Sequence, residues 1–452
     1  MNDPWWLVIV KVVLLFVVLL AWTIFNVWYE RRLVGKMQQR LGPIMNGPLG
    51  LGQALADGMK LLIKEDFMPR MVDRVLFTLA PIIAGTAAFT AWAMIPFGPE
   101  VKIWDPFAGA EITTRIQVTD MPVGTLMILA VTSVGIYGFV LAGWSSNSPY
   151  SLLGGLRSSA QMISYEIAMG LSFVAVFLYT SSMSTAQIVE QQSREFFVFG
   201  FDIGWEAWNW LVLLPSFCVY VIAMVGETNR APFDLPEAES ELVSGYITEY
   251  SGFRYAIYFL AEYINMATVS AIATTLFMGG YLVPWPLNLI PGLDNPWLGP
   301  VWFVIKVQLF ISMFVWLRGT LPRMRYDQFM KLGWKGLIPI SLAWIAIFAA
   351  VRKLQENGLA NEGVRNAIFI AAAVMVVALL ILLLLPDKKS AAVAAEKQAD
   401  FDAFAGGYPV PPPLGTALPE LAGVLAGSVV DSGSEQAPAA QTVAEEASDG
   451  NS

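Results

Sequence analysis

The chain has 452 residues, 56% hydrophobic and only 14% charged, against about 25% charged in an average soluble domain. It carries one cysteine, Cys218, and no histidine. That excludes an intrachain disulfide and argues against iron–sulfur, histidine-ligated haem and Cys/His zinc sites, so no cofactor is expected on the chain itself. The formal charge of −9 is local: residues 387–452 hold ten acids against three lysines, which leaves −2 on the first 386 residues, and no nucleic-acid surface is indicated.

Apolar runs long enough to cross a bilayer core of about 30 Å recur along the chain. They predict an all-α polytopic membrane protein with nine spans. In chain order these are Trp5 to Tyr29, Val75 to Phe97, Pro122 to Trp144, Ser158 to Tyr179, Trp208 to Gly226, Phe253 to Met278, Pro300 to Leu317, Trp334 to Val351 and Asn366 to Leu385. Residues 1–352 read as an eight-helix membrane domain, 366–385 as an additional helix and 387–452 as a disordered acidic tail rich in Pro and Ala. With the first loop inside, 19 of the 27 Lys and Arg residues fall on the cytoplasmic side. The positive-inside rule therefore expects the N-terminus outside and the tail inside.

After span one comes a basic stretch, ERRLVGKMQQRLGP at 30–43; its arginines also fit simple anchoring. From Gly50 to Asp66, Leu51, Leu55, Met59 and Leu62 recur at helical spacing opposite Gln53, Asp57, Lys60 and Lys64. That pattern predicts a short amphipathic helix lying in the membrane surface. It reads either as an anchor or as the floor of a cavity open to lipid.

The loop after span five, GETNRAPFDLPEAESELVSGYITEY at 226–250, is dense in acids and has one arginine, Arg230. Glu237 and Glu241, four apart, share a helix face, and such acids titrate as a group if buried. A solvated loop is the plain alternative, but Phe233, Leu235, Leu242, Val243, Tyr246 and Ile247 interleave and argue for burial. Glu166 and Glu262 stand alone inside spans, roughly 12–14 Å deep at the helical rise. Intramembrane carboxylates mark proton or ion paths by default, with a satisfied structural hydrogen bond as the alternative. Lys11 is expected to snorkel outward; Lys306 reads either as snorkelling or as a proton site. Together the residues suggest proton handling coupled to a lipid-soluble substrate.

The two long stretches, with GWSSN at 143–147 and LRGTLPRMRYDQ at 317–328, resemble the family formed by the H subunit of bacterial NADH–quinone oxidoreductase and its mitochondrial counterpart, subunit 1 of complex I. The likeness runs in order over about residues 5 to 352. It implies a subunit that joins the peripheral and membrane arms, forms most of the quinone tunnel and couples quinone reduction to proton translocation. Ubiquinone or menaquinone would be the substrate, in the bacterial plasma membrane. By position, the tunnel and its mouth would use Glu30, Arg31, Arg40, Asp57, Lys60, Lys64, Arg230, Phe233 and Asp234. The proton path would use Glu166, Glu227, Glu237, Glu239, Glu241, Glu249 and Glu262. FMN, the iron–sulfur clusters and the quinone head-group ligands would lie on peripheral partner subunits, with small membrane subunits and antiporter-like subunits as further partners. The ninth span and acidic tail exceed the family core, and Ile44 stands where the family usually has Asn. A membrane anchor of an energy-converting hydrogenase is the nearest alternative. A stand-alone proton-coupled transporter is a third, though the internal repeats such carriers favour are not seen.

Overall fold

The computed structural model describes residues 3–105, 109, 111–193, 195–198, 201–206, 208–234, 242–290, 292–293, 295–356 and 374–375. The ninth predicted span, apart from Val374 and Met375, and the whole of 387–452 lie outside the described residues, as do Leu235, Glu237, Glu239 and Glu241.

Without water to satisfy them, backbone amides in lipid pair within helices, and the apolar runs fold accordingly. The long helices are α1 (Trp5–Met37), α3 (Arg74–Ala91), α4 (Gly124–Ser145) and α5 (Pro149–Thr180), with α2 (Gln53–Ile63) as a short helix between the first two. A short α6 (Thr185–Gln192) follows. The fifth predicted span is interrupted: α7 (Asn209–Val212) and α8 (Leu214–Glu227) meet at Leu213, whose φ of −105° and ψ of 38° are not helical and precede Pro215. Then come α9 (Gly252–Phe277) and α10 (Gly299–Thr320). The last described span is a continuous run of α11 (Tyr326–Lys331), a π-turn at Leu332–Leu337 and α12 (Ile338–Glu356). Among the described residues, seven helical segments are long and apolar enough to cross a membrane, and α8 is a shorter apolar helix. The protein is a multi-pass, mostly helical membrane protein.

Two helices begin well before the spans the sequence predicts. The fourth predicted span begins at Ser158, whereas α5 begins at Pro149, and the eighth begins at Trp334, whereas α11 begins at Tyr326. The polar residues at the start of α5, Ser151, Ser158 and Ser159 among them, are buried inside the protein, so a hydropathy window does not reach them.

Among the described residues, two strand hairpins lie in the loops at the end of the bundle away from the acidic loop. The hairpin of β1 (Glu100–Trp104) and β2 (Glu111–Arg115) pairs Glu100 with Arg115. The second joins β3 (Glu195–Val198) and β4 (Phe201–Glu206). Arg115 binds Glu100 at 3.0 Å, Asp120 at 3.0 Å and Glu190 of α6 at 2.7 Å, tying the first hairpin to the bundle. Lys11 does point out of the apolar stretch: its Nζ donates to Asp3 at 2.6 Å, Thr114 at 2.7 Å and the Arg115 carbonyl at 2.8 Å.

Small residues bring backbones together, as in other membrane bundles. A Cβ on Gly138 of α4 would stand 2.8 Å from the Ala84 Cβ of α3, and one on Gly154 of α5 would stand 2.5 Å from the Gly245 Cα. The second contact seats the C-terminal half of the acidic loop directly on α5.

Candidate functional site: a buried charge cluster beside an apolar cleft

The acidic loop does not hang in solvent where it is described. Gln161 of α5 donates to the Gly226 carbonyl at 2.8 Å and the Phe233 carbonyl at 2.9 Å, holding both ends of the segment that carries Arg230. Phe233 packs 4.6 Å from Phe329 and 5.8 Å from Tyr165, centroid to centroid. Met324 N–H bonds the Pro232 carbonyl at 3.0 Å. Leu242, Tyr246 and Ile247 are buried as the interleaving predicts, but Val243 is exposed. It lies in a turn, at positive φ.

Arg230 reaches across the bundle to helices far from it in sequence. Its Nη1 donates to Glu30 of α1 at 3.2 Å, and its Nε lies 2.9 Å from Glu262 of α9. The Tyr263 hydroxyl donates to Glu30 at 2.6 Å, and the guanidinium of Arg230 stands 4.4 Å from the Tyr263 ring centre. Arg318, at the end of α10, also pairs with Glu30. Glu262, expected as an isolated intramembrane acid, is therefore half of a largely shielded ion pair, with its side chain 16% exposed. Two carboxylates face two guanidiniums, so the cluster is formally neutral and its desolvation is offset by pairing.

Asp234 pairs with Arg323 at 3.0 Å. Burial outweighs the attraction of Arg323, Arg230 and Arg318, and its carboxyl is pushed above the usual carboxylate range. Glu227 is buried and shares a cavity of about 20 Å³ with Glu262, Asn229 and Asn265. An adjoining cavity of about 20 Å³ runs from Glu227 to Thr132 of α4 and Thr268 of α9. Each can hold about one water. Glu166 lies on α5, half-buried, and accepts a hydrogen bond from Ser133 of α4, next to that second cavity's Thr132. Glu249 is half-buried in the turn before α9.

The amphipathic helix forms as α2. Leu55, Met59 and Leu62 are exposed on it and border the cleft that opens beside it. Between α1, α2 and α9 opens a cleft of about 450 Å³, lined by apolar residues such as Ile24, Val27, Leu61, Phe259 and Leu260 with Arg31, Asp57 and Lys60 at its polar edge. Arg31 binds Asp57 at 2.5 Å, and Gln53 donates to Asp57 at 3.1 Å. Slight burial is outweighed by Arg31, and the Asp57 carboxyl lies below its usual range. The cleft wall residues Val27 and Phe259 are one helical turn from Glu30 and Tyr263, so α1 and α9 present the cleft on one turn and the charge cluster on the next. Arg40 and Lys64 are exposed and belong neither to the cluster nor to the cleft wall.

Sequence reasoning misses Tyr263, Arg318, Arg323 and Gln161. Arg318 and Arg323 lie in the basic stretch 317–328, which is visible as a motif, while Tyr263 beside Glu262 gives no signal of its own.

A family model described as NADH dehydrogenase matches residues 10–349. The chain belongs to the NADH dehydrogenase family. All described members of the cluster and the cleft fall inside that match. Among its relatives, the NADH-quinone oxidoreductase H subunit of Cutibacterium acnes is 56% identical over 431 residues, 95% of this chain and 96% of its own. The corresponding H subunits of Streptomyces avermitilis and Frankia alni are 49% and 54% identical, over 93% and 79% of this chain and 90% and 75% of theirs. The likeness of this NADH dehydrogenase family member to these relatives therefore runs along far more of the chain than its loop motifs.

Proposed function

We propose that this chain is the membrane subunit of complex I that admits quinone from the lipid and passes the consequence of its reduction to a proton path. The observation that carries the reading is the 450 Å³ apolar cleft beside the Glu30–Arg230–Glu262 cluster. A lipid-facing mouth, an apolar wall and a buried, balanced charge cluster are what a ligand with a long apolar tail and a proton-consuming head requires. The acidic-loop end would face the cytoplasm and the hairpin end the outside.

In this reading quinone enters between α1, α2 and α9, and Arg31, Asp57 and Lys60 frame the mouth. Electrons come from iron–sulfur clusters and FMN on peripheral subunits, and none need be held here. Two electrons and two protons convert quinone to quinol. Proton withdrawal nearby shifts the balance between Arg230 and its two carboxylates, and the cavities from Glu262 to Glu227 and toward Glu166 offer a water-sized relay. Glu237, Glu239, Glu241 and Glu249 would extend it through the acidic loop. Other subunits of the complex are the partners.

The test is double. A photoreactive quinone, activated on the assembled complex, should label peptides of α1, α2 or α9; labelling confined to other subunits or to other helices rejects the access route. Separately, Glu227→Gln and Glu166→Gln complexes should assemble and lose quinone reduction and pumping together. Normal coupled turnover in both would remove these acids from the path.

A further inference from the structure

Lys306 is a buried charge that the proposed path does not use. It lies on α10, and its Nζ donates to the carbonyls of Met278, Gly280 and Leu282 at 2.8, 3.1 and 2.7 Å. Three acceptors match the three protons of an ammonium, whereas a neutral amine has only two to give. The Trp208 ring centre stands 4.2 Å from the same nitrogen. The carbonyls follow the C-terminus of α9, the negative end of that helix, which favours a cation. Every one of these contacts stabilises the charged form.

Its position along α9 gives it a role. The water-sized cavities follow one face of α9 from Glu262 through Asn265 and Thr268 to Val269. Continuing along that face, Ile272, Thr275 and Leu276 close on Phe173 and Thr185 with about 0 Å³ of room. Lys306 sits beyond this dry stretch. There Gln192 of α6 also accepts from Gly279 N–H at 3.0 Å, and its side-chain amide donates to the Thr275 carbonyl at 2.9 Å, fixing the helix end.

We propose that Lys306 is the electrostatic seal of the proton path on the hairpin side. A fixed positive charge in a low-dielectric wall repels a proton advancing from the cavities, much as a fixed cation excludes protons from other pores. The relay is then open toward the acidic loop and toward neighbouring helices, and closed across the membrane. This rests on the reading of Glu227 and Glu262 as proton-carrying groups.

The experiment uses the whole complex in proteoliposomes holding a pH-sensitive dye. Passive proton conductance after an acid jump is read without NADH, and the gradient is then read at matched NADH oxidation. Lys306→Met and Lys306→Gln should raise the passive conductance by about tenfold or more, as expected for losing a unit charge from a low-dielectric barrier. They should lower the gradient at unchanged electron flux, while Lys306→Arg stays tight. A lysine that only staples α10 to α9 would change assembly or heat stability but not conductance in the complexes that form, so assembled neutral variants as tight as the parent overturn the seal. If neither neutral variant assembles, Ile272→Thr decides. That change wets the dry stretch but keeps the cation: a tight membrane supports the seal, and a leaking one overturns it by placing the barrier in the dry stretch. Failure of the underlying path is seen elsewhere, as normal pumping by Glu227→Gln without any change in passive leak.

Discussion

Glu30 and Arg31 are neighbours on α1, yet they belong to two different kinds of ion pair. Arg31 meets Asp57 at the cleft mouth with its side chain 44% exposed and its partner 27% exposed. Glu30 meets Arg230 with the two side chains 5% and 10% exposed. Successive helical residues point about 100° apart, so one turn of α1 serves the cleft edge and the bundle interior at once. The lesson lies in what each pair can do. An exposed pair contributes about 0–1 kcal/mol and can open and close at little cost. A buried pair is of uncertain net value to stability, but removing one partner strands a charge. The pair at the mouth can therefore rearrange at little cost, whereas the cluster resists any change in its charge balance.

The strongest test of this contrast is Arg230→Met, which leaves Glu30 with Arg318 but takes the guanidinium away from Glu262. It should cost about 3–5 kcal/mol, seen as a large loss of assembled complex on native gels and a lower unfolding temperature in detergent. A variant with parental stability would mean the cluster is wet and screened. Next is Tyr263→Phe, which removes one hydrogen bond to a buried carboxylate and should cost about 1.5–3 kcal/mol while leaving the Arg230 pairs in place. Arg31→Ala should cost no more than about 1 kcal/mol, but it should change KM for long-tailed quinones more than kcat. An equal fall in kcat would move Arg31 from the mouth to the reacting end.

The smallest effect is a difference in titration. Asp57, held low by Arg31 against slight burial, adds stability above the ordinary carboxylate range and loses it as pH falls through its lowered pKa. Asp234, raised by burial against its arginines, works the other way. The fold favours its protonated form, and that contribution is lost as pH rises from the ordinary range through the raised value. Infrared titration with Asp57→Asn and Asp234→Asn as assignments should show Asp234 protonating at the higher pH. The reverse order would place Asp234 in water.

Spans are legible because lipid imposes one rule on the backbone, and a run such as 7–20 in α1 can obey it only as helix. The amphipathic α2 is legible for the same reason, since its period of 3.6 sorts Leu55, Met59 and Leu62 from Asp57 and Lys60. Burial of Phe233 and Tyr246 is readable from their interleaving with acids. The partners are not. Periodicity says which face a residue occupies but not which helix stands opposite, so Arg230 cannot be assigned to Glu30 across 200 positions. Nor can the break at Leu213 be read, because hydropathy averages over a kink. Lys306 is ambiguous in sequence because its ligands are backbone carbonyls, which leave no mark there.

The distances in sequence also set an order of events at the ribosome. Glu30 is made 200 residues before Arg230 and 288 before Arg318. At about 5–20 residues per second, α1 would carry an unmatched carboxylate through the insertion machinery for roughly 10–40 s before its first guanidinium emerges. Newborn chains stalled before Arg230 should therefore hold α1 loosely, at the lipid edge or against an insertase, and commit it to the bundle only when the acidic loop arrives.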